Sequence, residues 1–180
     1  MSDETIVIRQ ASLADIPALR AMQALSARRL CVPAYTPRQV ESFIAHGTMD
    51  ESVVEDGTFF LAAAGDVVVG SAGWSTRVPG YAARTPGIAA LAAAGRPRVR
   101  SVFVHPDWAR RGIARRLMHT AEGAASACGH RAIELAATLS GVPLYRALGY
   151  ATRPMERIRL PDGVALEVVP MTKELMRAAA

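Results

Sequence analysis

The residues best placed to do chemistry lie where a strand-like run gives way to a basic turn. That stretch, with Arg115 next, reads Val102, Phe103, Val104, His105, Pro106, Asp107, Trp108, Ala109, Arg110, Arg111, Gly112, Ile113, Ala114. The first turn of a helix presents unpaired backbone N–H groups and a partial positive charge, which together attract anions, above all phosphate. Gly112 leaves room for close approach, and Arg110, Arg111 and Arg115 add positive charge. The pattern indicates a phosphate site, with an ordinary basic helix start as the alternative.

The spacing of this stretch excludes two familiar nucleotide-binding motifs. No Gly-Lys-Ser/Thr follows the turn, so it is not a P-loop. The Gly-x-Gly-x-x-Gly of a dinucleotide-binding fold is also missing. Any phosphate held here is therefore bound in a different way.

A second stretch carries a tyrosine in a short predicted helix. Residues 141–150 read Gly-Val-Pro-Leu-Tyr-Arg-Ala-Leu-Gly-Tyr, and Gly149 is a typical helix stop. Leu144 and Leu148 are four residues apart and face the core, with Tyr145 beside them. A phenol has a pKa of about 10, so Tyr145 can donate a proton at neutral pH. A core tyrosine whose hydroxyl is satisfied is the alternative.

Hydrophobic periodicity predicts the elements that must position these residues. Predicted strands cover residues 6–8, 58–63, 67–75, 98–104, 132–136, 150–160 and 164–171. Predicted helices cover residues 13–30, 37–46, 113–128 and 142–148. Ser12 with Asp15 and Thr36 with Gln39 are expected capping boxes of the first two, and the third carries one apolar stripe. Residues 76–97 form a long loop with one short helix at 88–94, and residues 173–180 are expected to fray. A strand–helix–strand unit in the second half predicts a parallel strand pair within an otherwise antiparallel mixed α/β sheet.

Length and composition are those of an ordinary globular protein. The chain has 180 residues, which predicts a single domain over residues 1–180. A folded chain of 19.1 kDa buries about 70% of its surface, enough for a sizeable core. Hydrophobic residues make up 51% and charged residues 21%, which argues against intrinsic disorder.

Several classes of protein are disfavoured by what the sequence does not contain. No apolar run approaches the ~18 residues of a membrane span, so no membrane partner is expected. The acidic start, Met1 to Glu4, lacks a secretory signal's apolar region. Cys31 and Cys128 form no close-spaced pair, so we expect reduced thiols, no metal and a cytoplasmic protein.

Together the two motifs resemble the GNAT superfamily of acetyl-CoA-dependent N-acetyltransferases. The family's central motif, Arg/Gln-x-x-Gly-x-Gly/Ala, corresponds to residues 109–114, with Ala109 in place of the first Arg or Gln. Its Tyr-x-x-Leu-Gly-Tyr/Phe corresponds to residues 145–150. Many family members carry an asparagine before the helix that contains this second motif. That asparagine is absent here, and Thr138 lies near its position. The resemblance is strong over residues 99–150 and implies a mixed, mostly antiparallel sheet flanked by helices, with a splayed parallel strand pair that holds the cofactor.

The resemblance implies roles for individual residues. The pyrophosphate of acetyl-CoA, the co-substrate, would lie at residues 110–115, and its pantetheine arm would pair with the backbone of residues 102–104. Tyr145, whose phenol has a pKa of about 10 and is protonated at neutral pH, would protonate the leaving thiolate. The backbone N–H of Phe103 or Val104 would stabilise the oxyanion. The base is not identified, with His105 and Glu134 as candidates. A turn role is favoured for His105, and an exposed strand position or a contact with the acceptor is favoured for Glu134.

The expected reaction is direct attack of a primary amine on the acetyl group while both substrates are bound. The amine belongs to a small molecule or a peptide, and the family resemblance is also compatible with a homodimer. A CoA-binding sensor or partner domain without catalysis is the second hypothesis. A nucleic-acid-binding module is the third, suggested by a net charge of +5 that is almost entirely arginine. The low aromatic content, 6%, and the lack of a recognition motif count against it.

Overall fold

The computed structural model describes residues 5–78 and 95–176, and its elements alternate between one sheet and the helices that cover it. Strands are β1 Ile6–Gln10, β2 Phe59–Ala64, β3 Val67–Ser75, β4 Arg98–Val104, β5 Ala132–Thr138, β6 Ala151–Thr152, β7 Glu156–Arg159 and β8 Ala165–Glu174. Helices are α1 Ile16–Leu30, α2 Pro37–His46, α3 Glu51–Glu55, α4 Ile113–Ala127 and α5 Val142–Ala147. Within these ranges no helix combines the length and the apolar character needed to cross a membrane.

The first two helices begin where the capping residues predict. The Thr36 hydroxyl accepts from the Gln39 N–H, and the Gln39 side chain accepts from the Thr36 N–H at 3.0 Å, which is the predicted capping box of α2. The Asp15 carboxylate likewise accepts from the Ser12 N–H at 2.8 Å. There the chain first forms a short 3-10 turn, Leu13–Asp15, and α1 starts one residue later.

The sheet has the strand order β1-β2-β3-β4-β5-β8-β6, with β7 paired to β8. Its pairs are antiparallel except β4 with β5, whose single registered partners are Arg98 and Glu134. Beyond that position the two strands diverge, while β4 remains paired with β3 and β5 with β8. This confirms the predicted mixed sheet with a splayed parallel pair.

A β-bulge in β4 accompanies the divergence. Phe103 lies opposite Ser71 and Arg100 lies opposite Gly73, so one residue of β3 faces two of β4. Ser101 takes a left-handed conformation at φ 54°. Its carbonyl accepts from the Ser71 hydroxyl at 2.8 Å, and its own hydroxyl donates to the Thr48 carbonyl at 2.7 Å. These bonds hold an otherwise unfavourable backbone conformation in place.

Both faces of the sheet are covered by helices. On one face, α1 and α2 pack Met22, Ala27 and Val40 against residues of β4, β7 and β8. On the other face, α4 packs Met118 and Ala121 against residues of β3, β4 and β5. The amphipathic stripe predicted for α4 is therefore the side that it buries.

Three sequence predictions need correction. The strand predicted over 150–160 is two strands, because Pro154 has no N–H to donate to a ladder. The last strand continues to Glu174, which pairs with Ala132, so the start of the expected frayed tail is ordered in the sheet. Helix α3 was not predicted, since five residues carry too little periodicity to be recognised.

Part of the long loop predicted at 76–97 lies outside the described residues. Residues 79–94 fall in that gap, including the short helix expected at 88–94. The same holds for residues 177–180 of the expected frayed tail.

We expect Gly70→Ala to destabilise the fold because β3 passes close under α4. A Cβ at this position would lie 2.8 Å from Leu117, 2.9 Å from Ile113 and 3.3 Å from the Phe103 carbonyl. Overpacking of this kind costs about 1–3 kcal/mol in free energy of unfolding, measurable by urea denaturation. Gly123→Ala is the control, since its site on α4 is open and alanine there stabilises by about 0.5–1 kcal/mol. Wild-type stability for Gly70→Ala would contradict the close packing.

Candidate active site

A cavity of about 630 Å³ passes through the gap between the diverging strands β4 and β5. One end is lined by Ala114 in the first turn of α4 and by Tyr145 of α5. The other end is lined by α2 and the start of α3, including His46, Asp50 and Glu51. The predicted residues Val102, Phe103 and Val104 form its β4 wall. One residue of each predicted motif, Ala114 and Tyr145, therefore lines the same space. The other predicted residues of the first motif are not part of the lining: Arg110, Arg111, Gly112, Ile113 and Arg115.

The backbone of β4 offers hydrogen-bonding groups to this space at alternate residues. The His105 N–H donates to the Val69 carbonyl of β3, and Phe103 lies opposite Ser71 in the same register. Because antiparallel pairing alternates, the amide groups of Phe103 also face β3, whereas those of Val102 and Val104 face the gap. Of the two predicted oxyanion donors, the structure directs only Val104 toward the cavity.

The turn before α4 has the geometry of an anion-binding loop. Arg110 at φ 67° and Gly112 at φ 77° are both left-handed, and Gly112 is the N-cap. The first helical bond of α4 is donated by the Arg116 N–H to the Gly112 carbonyl, so the preceding amides have no acceptor in the described part of the chain. A Cβ at Gly112 would have nothing within 4 Å, so the approach is open. Successive free N–H groups in such a turn favour an anion.

The arginines of this region have different surroundings. Arg110 and Arg115 are exposed, and the guanidinium of Arg111 lies over the Trp108 ring at 4.6 Å. Arg116 donates to the Ile6 carbonyl at 3.0 Å, which ties α4 to β1. The side chain of Ile113 is buried in the core, so only its backbone is available at the turn.

Tyr145 lies at the cavity wall with its ring held by packing. It is 8% exposed and meets Tyr150 edge-on, with ring centroids 5.9 Å apart. A Cβ at Gly141 would lie 2.9 Å from the Tyr145 ring, so Gly141 permits this position. Burial raises the pKa of Tyr145 well above its usual range, with a smaller contribution from Cys31. The phenol is therefore fully protonated at neutral pH, and within the described residues its hydroxyl has no hydrogen-bond partner.

The two candidate bases have structural partners. The Nδ1 of His105 accepts from the Asp107 N–H at 3.2 Å, as expected of a turn residue. Glu134 is fully buried and ion-paired with Arg98, so its favoured assignment as an exposed strand residue is wrong. Its carboxylate is bonded to Arg98 and does not line the cavity.

Sequence reasoning missed the polar residues at the α2–α3 end of the cavity. Arg20 pairs with Glu51 at 2.5 Å, and Arg100 pairs with Asp50 at 2.7 Å. Asp50 also accepts from the Ser52 N–H and hydroxyl as the N-cap of α3. The position of Asp50 before α3 was the one local signal for these residues in the sequence. Its ion pair joins residues fifty positions apart, which local patterns do not reveal.

The family model described as "Acetyltransferase (GNAT) domain" matches residues 31–175, most of the chain. The chain belongs to the GNAT acetyltransferase family. It is therefore an acyltransferase, as the resemblance implied.

Solved structures share the fold of this GNAT protein at low sequence identity. A GCN5-related N-acetyltransferase from Rhodopseudomonas palustris is 21% identical, with a TM-score of 0.75 over 97% of this chain and 99% of that one. The PaiA N-acetyltransferase from Thermoplasma acidophilum, in complex with coenzyme A, is 15% identical, with a TM-score of 0.65 over 94% and 99%. A polyamine N-acetyltransferase from Drosophila melanogaster is 19% identical, with a TM-score of 0.64 over 95% and 100%. Among curated proteins, no sequence matches this chain.

Tyr35 predicts how the stability of the protein responds to alkaline pH. Its hydroxyl donates to the Glu167 carbonyl at 2.5 Å and accepts from the Leu139 N–H at 2.9 Å, and burial raises its pKa to about 12. A raised folded pKa leaves stability intact below the unfolded value of about 10, and stability is then lost as pH rises toward the folded value. We expect the free energy of unfolding to fall above about pH 10, and Tyr35→Phe to flatten that fall. An identical alkaline slope in urea titrations of the variant would contradict this assignment.

Proposed function

We propose that the protein is an acetyl-CoA-dependent N-acetyltransferase that acts on a primary amine of a small molecule or peptide. The observation that carries the proposal is a cavity in the β4–β5 gap that is lined both by Ala114, in the first turn of α4, and by Tyr145. The two substrates would enter from opposite sides of the sheet and meet in this gap. The amine would then attack directly, while both substrates are bound.

The residues at the start of α4 fit the pyrophosphate of acetyl-CoA. The free amides of residues 111–115 would donate to its oxygens, and Gly112 would allow the close approach that this requires. Arg110 and Arg115 are exposed and would contribute charge without a fixed geometry. Ala109, which replaces the family's Arg or Gln, matters little here because backbone groups make most of the contacts.

The exposed edge of β4 fits the pantetheine arm. Val102 and Val104 direct their amides and carbonyls into the gap, and β5 is too far away to use them beyond Glu134. An extended amide-containing arm would pair with these groups as an added strand does. Phe103 would then contribute its buried side chain, which packs against Phe43 of α2, rather than its backbone.

Acetyl-CoA, when bound, supplies the acetyl group as an activated thioester. The Val104 N–H would donate to the carbonyl oxygen as negative charge develops on it. Tyr145 lines the cavity and would give its proton to the sulfur as the carbon–sulfur bond breaks. The new amide nitrogen would release a proton to water, and Tyr145 would regain one from solvent. The amine must be neutral to attack, and the partly buried cavity favours the neutral form by desolvation.

The acceptor would bind at the α2–α3 end of the cavity. The polyamine N-acetyltransferase among the structural neighbours illustrates that the fold accommodates small amines. In this chain both carboxylates at that end, Asp50 and Glu51, are already paired with arginines. A second ammonium group on the acceptor would therefore compete with Arg100 or Arg20. A panel that pairs each diamine with its monoamine, assayed by thiol release, would identify the class.

The remaining parts of the proposal concern the whole molecule. We propose a single domain over residues 1–180, a cytoplasmic location, a homodimer as one assembly to test, and no role in binding nucleic acid or metal. A CoA-binding domain without catalysis is the second candidate, favoured only by Ala109 and by Thr138 in place of an asparagine. Turnover of acetyl-CoA with any amine of the panel would exclude it.

The phosphate site is tested by Gly112→Glu. We expect acetyl-CoA to raise the melting temperature of the wild type and to lose this effect in the variant, because a carboxylate would obstruct and repel the pyrophosphate. Gly129→Glu is the matched control at the other end of α4, with a similarly left-handed backbone, φ 88° against 77°, and equally open surroundings. Equal ligand stabilisation of the two variants would contradict the assigned site.

The general acid is tested by Tyr145→Phe. We expect kcat to fall by about 10²–10⁴-fold while the Kd for coenzyme A stays within a few-fold, because the ring and its packing remain. Tyr35→Phe is the control, as it also removes a buried hydroxyl but one that is bonded to backbone groups. A single-turnover rate for Tyr145→Phe within about twofold of the wild type would leave Tyr145 as a packing residue.

A further inference from the structure

The sheet consists of two well-paired halves that meet at one point. The first half runs from β1 to β4, and the second half contains β5, β8, β6 and β7. Between the halves, the only registered partners in the described residues are Arg98 and Glu134. The Glu134 N–H also donates to the Pro97 carbonyl at 3.1 Å. The opening between β4 and β5 therefore begins at this single position.

The side chains of Arg98 and Glu134 also form a buried ion pair across this position, which we call the β4–β5 joint. The Nη2 of Arg98 donates to the Oε1 of Glu134, and their side chains are 3% and 1% exposed. The other carboxylate oxygen, Oε2, is buried without a hydrogen-bond partner in the described part of the chain. Within the described residues, the charge of Glu134 is balanced by Arg98 alone.

A buried ion pair often contributes little net free energy to the stability of a fold. Removing two charges from water often costs more free energy than their mutual attraction recovers. Well-packed apolar residues of similar volume often give a fold of equal stability. A single registered residue pair between two parallel strands, in contrast, specifies their register weakly. A charge pair can supply that specificity, because a shift of either strand would separate two buried charges.

We infer that the Arg98–Glu134 pair is a positioning element that sets the register and separation of β4 and β5, and with them the width of the coenzyme A cleft. The inference rests on the proposed function for the ligand, although the geometry of the joint does not depend on it. The pair does not touch the cavity, whose nearest lining residues, Val99 and Leu135, follow it directly in each strand. The pair therefore acts on the cleft through the backbone.

A second, partly buried ion pair supplies a control. Lys173 donates to Glu122 at 2.6 Å, with side chains 22% and 10% exposed, and Glu122 also accepts from the Tyr150 hydroxyl. This pair links α4 to β8 and does not bridge β4 and β5, although Lys173 lies opposite Ile133, the residue before Glu134 in β5. It tests what the loss of a buried ion pair does to the protein in general.

The experiment compares Arg98→Met/Glu134→Leu, Glu134→Gln and Glu122→Gln. Titration calorimetry with coenzyme A gives the Kd, urea denaturation gives stability, and hydrogen exchange follows the amide of residue 134. We expect the apolar double variant to keep most of its stability. Its Kd for coenzyme A should nevertheless rise by about tenfold or more, because small displacements of a site carry large penalties. The exchange at residue 134 should become faster. Glu134→Gln should lose both stability and affinity, and Glu122→Gln only stability.

Two outcomes would overturn the inference. One is an apolar double variant that matches the wild type in coenzyme A affinity and in exchange at residue 134. The other is an equal loss of affinity in Glu122→Gln at equal destabilisation, which would make the effect general. If the wild type itself does not bind coenzyme A, the proposed function fails instead. The exchange at residue 134 then decides whether the pair controls the joint.

Discussion

The rest of the structure depends on the interruption of one strand pair. β4 and β5 share a single position, Arg98 with Glu134, and then separate while each stays bonded to its outer neighbour. A sheet that closed this gap would satisfy the backbone of β4 internally and leave no room for a ligand. Because the gap remains open, Val102 and Val104 keep free amides, and the cavity can pass from one face of the sheet to the other.

Several local features keep the strands apart. The bulge at Ser101 changes the direction of β4, and hydroxyl bonds from Ser71 and to the Thr48 carbonyl hold its left-handed backbone. Helices packed through hydrophobic clusters then cover both faces of the divided sheet. The active site is thus built from an irregularity that the surrounding packing makes rigid.

Charge in this protein is used in two physically distinct ways. At the start of α4, exposed arginines surround free backbone amides, which suits a mobile anionic ligand. On β4, Arg98 and Arg100 are buried and each is bonded to one carboxylate. The two arginines of β4 thus serve internal ion pairs, whereas those at the start of α4 face solvent.

The sequence by itself determined the features that depend on residues close together in the chain. The capping boxes at Thr36 and Ser12, the amphipathic stripe of α4, and the glycine and tyrosine of the two GNAT motifs are all fixed by neighbours a few residues away. Those signals were sufficient for the fold class, the family and most element boundaries. They failed at Pro154, which divides a predicted strand, and at α3, which is too short for its periodicity to be recognised.

Only the tertiary structure decided how distant residues combine. Glu134 has the local pattern of an exposed strand residue, and its burial follows from Arg98, thirty-six positions earlier in the chain. The direction of the Val104 amide depends on the register with β3, and the pairing of Asp50 with Arg100 depends on where α3 packs. Periodicity and motif spacing report which face of an element is apolar. They do not report which strands stop pairing, because that choice is made by contacts between segments far apart in sequence.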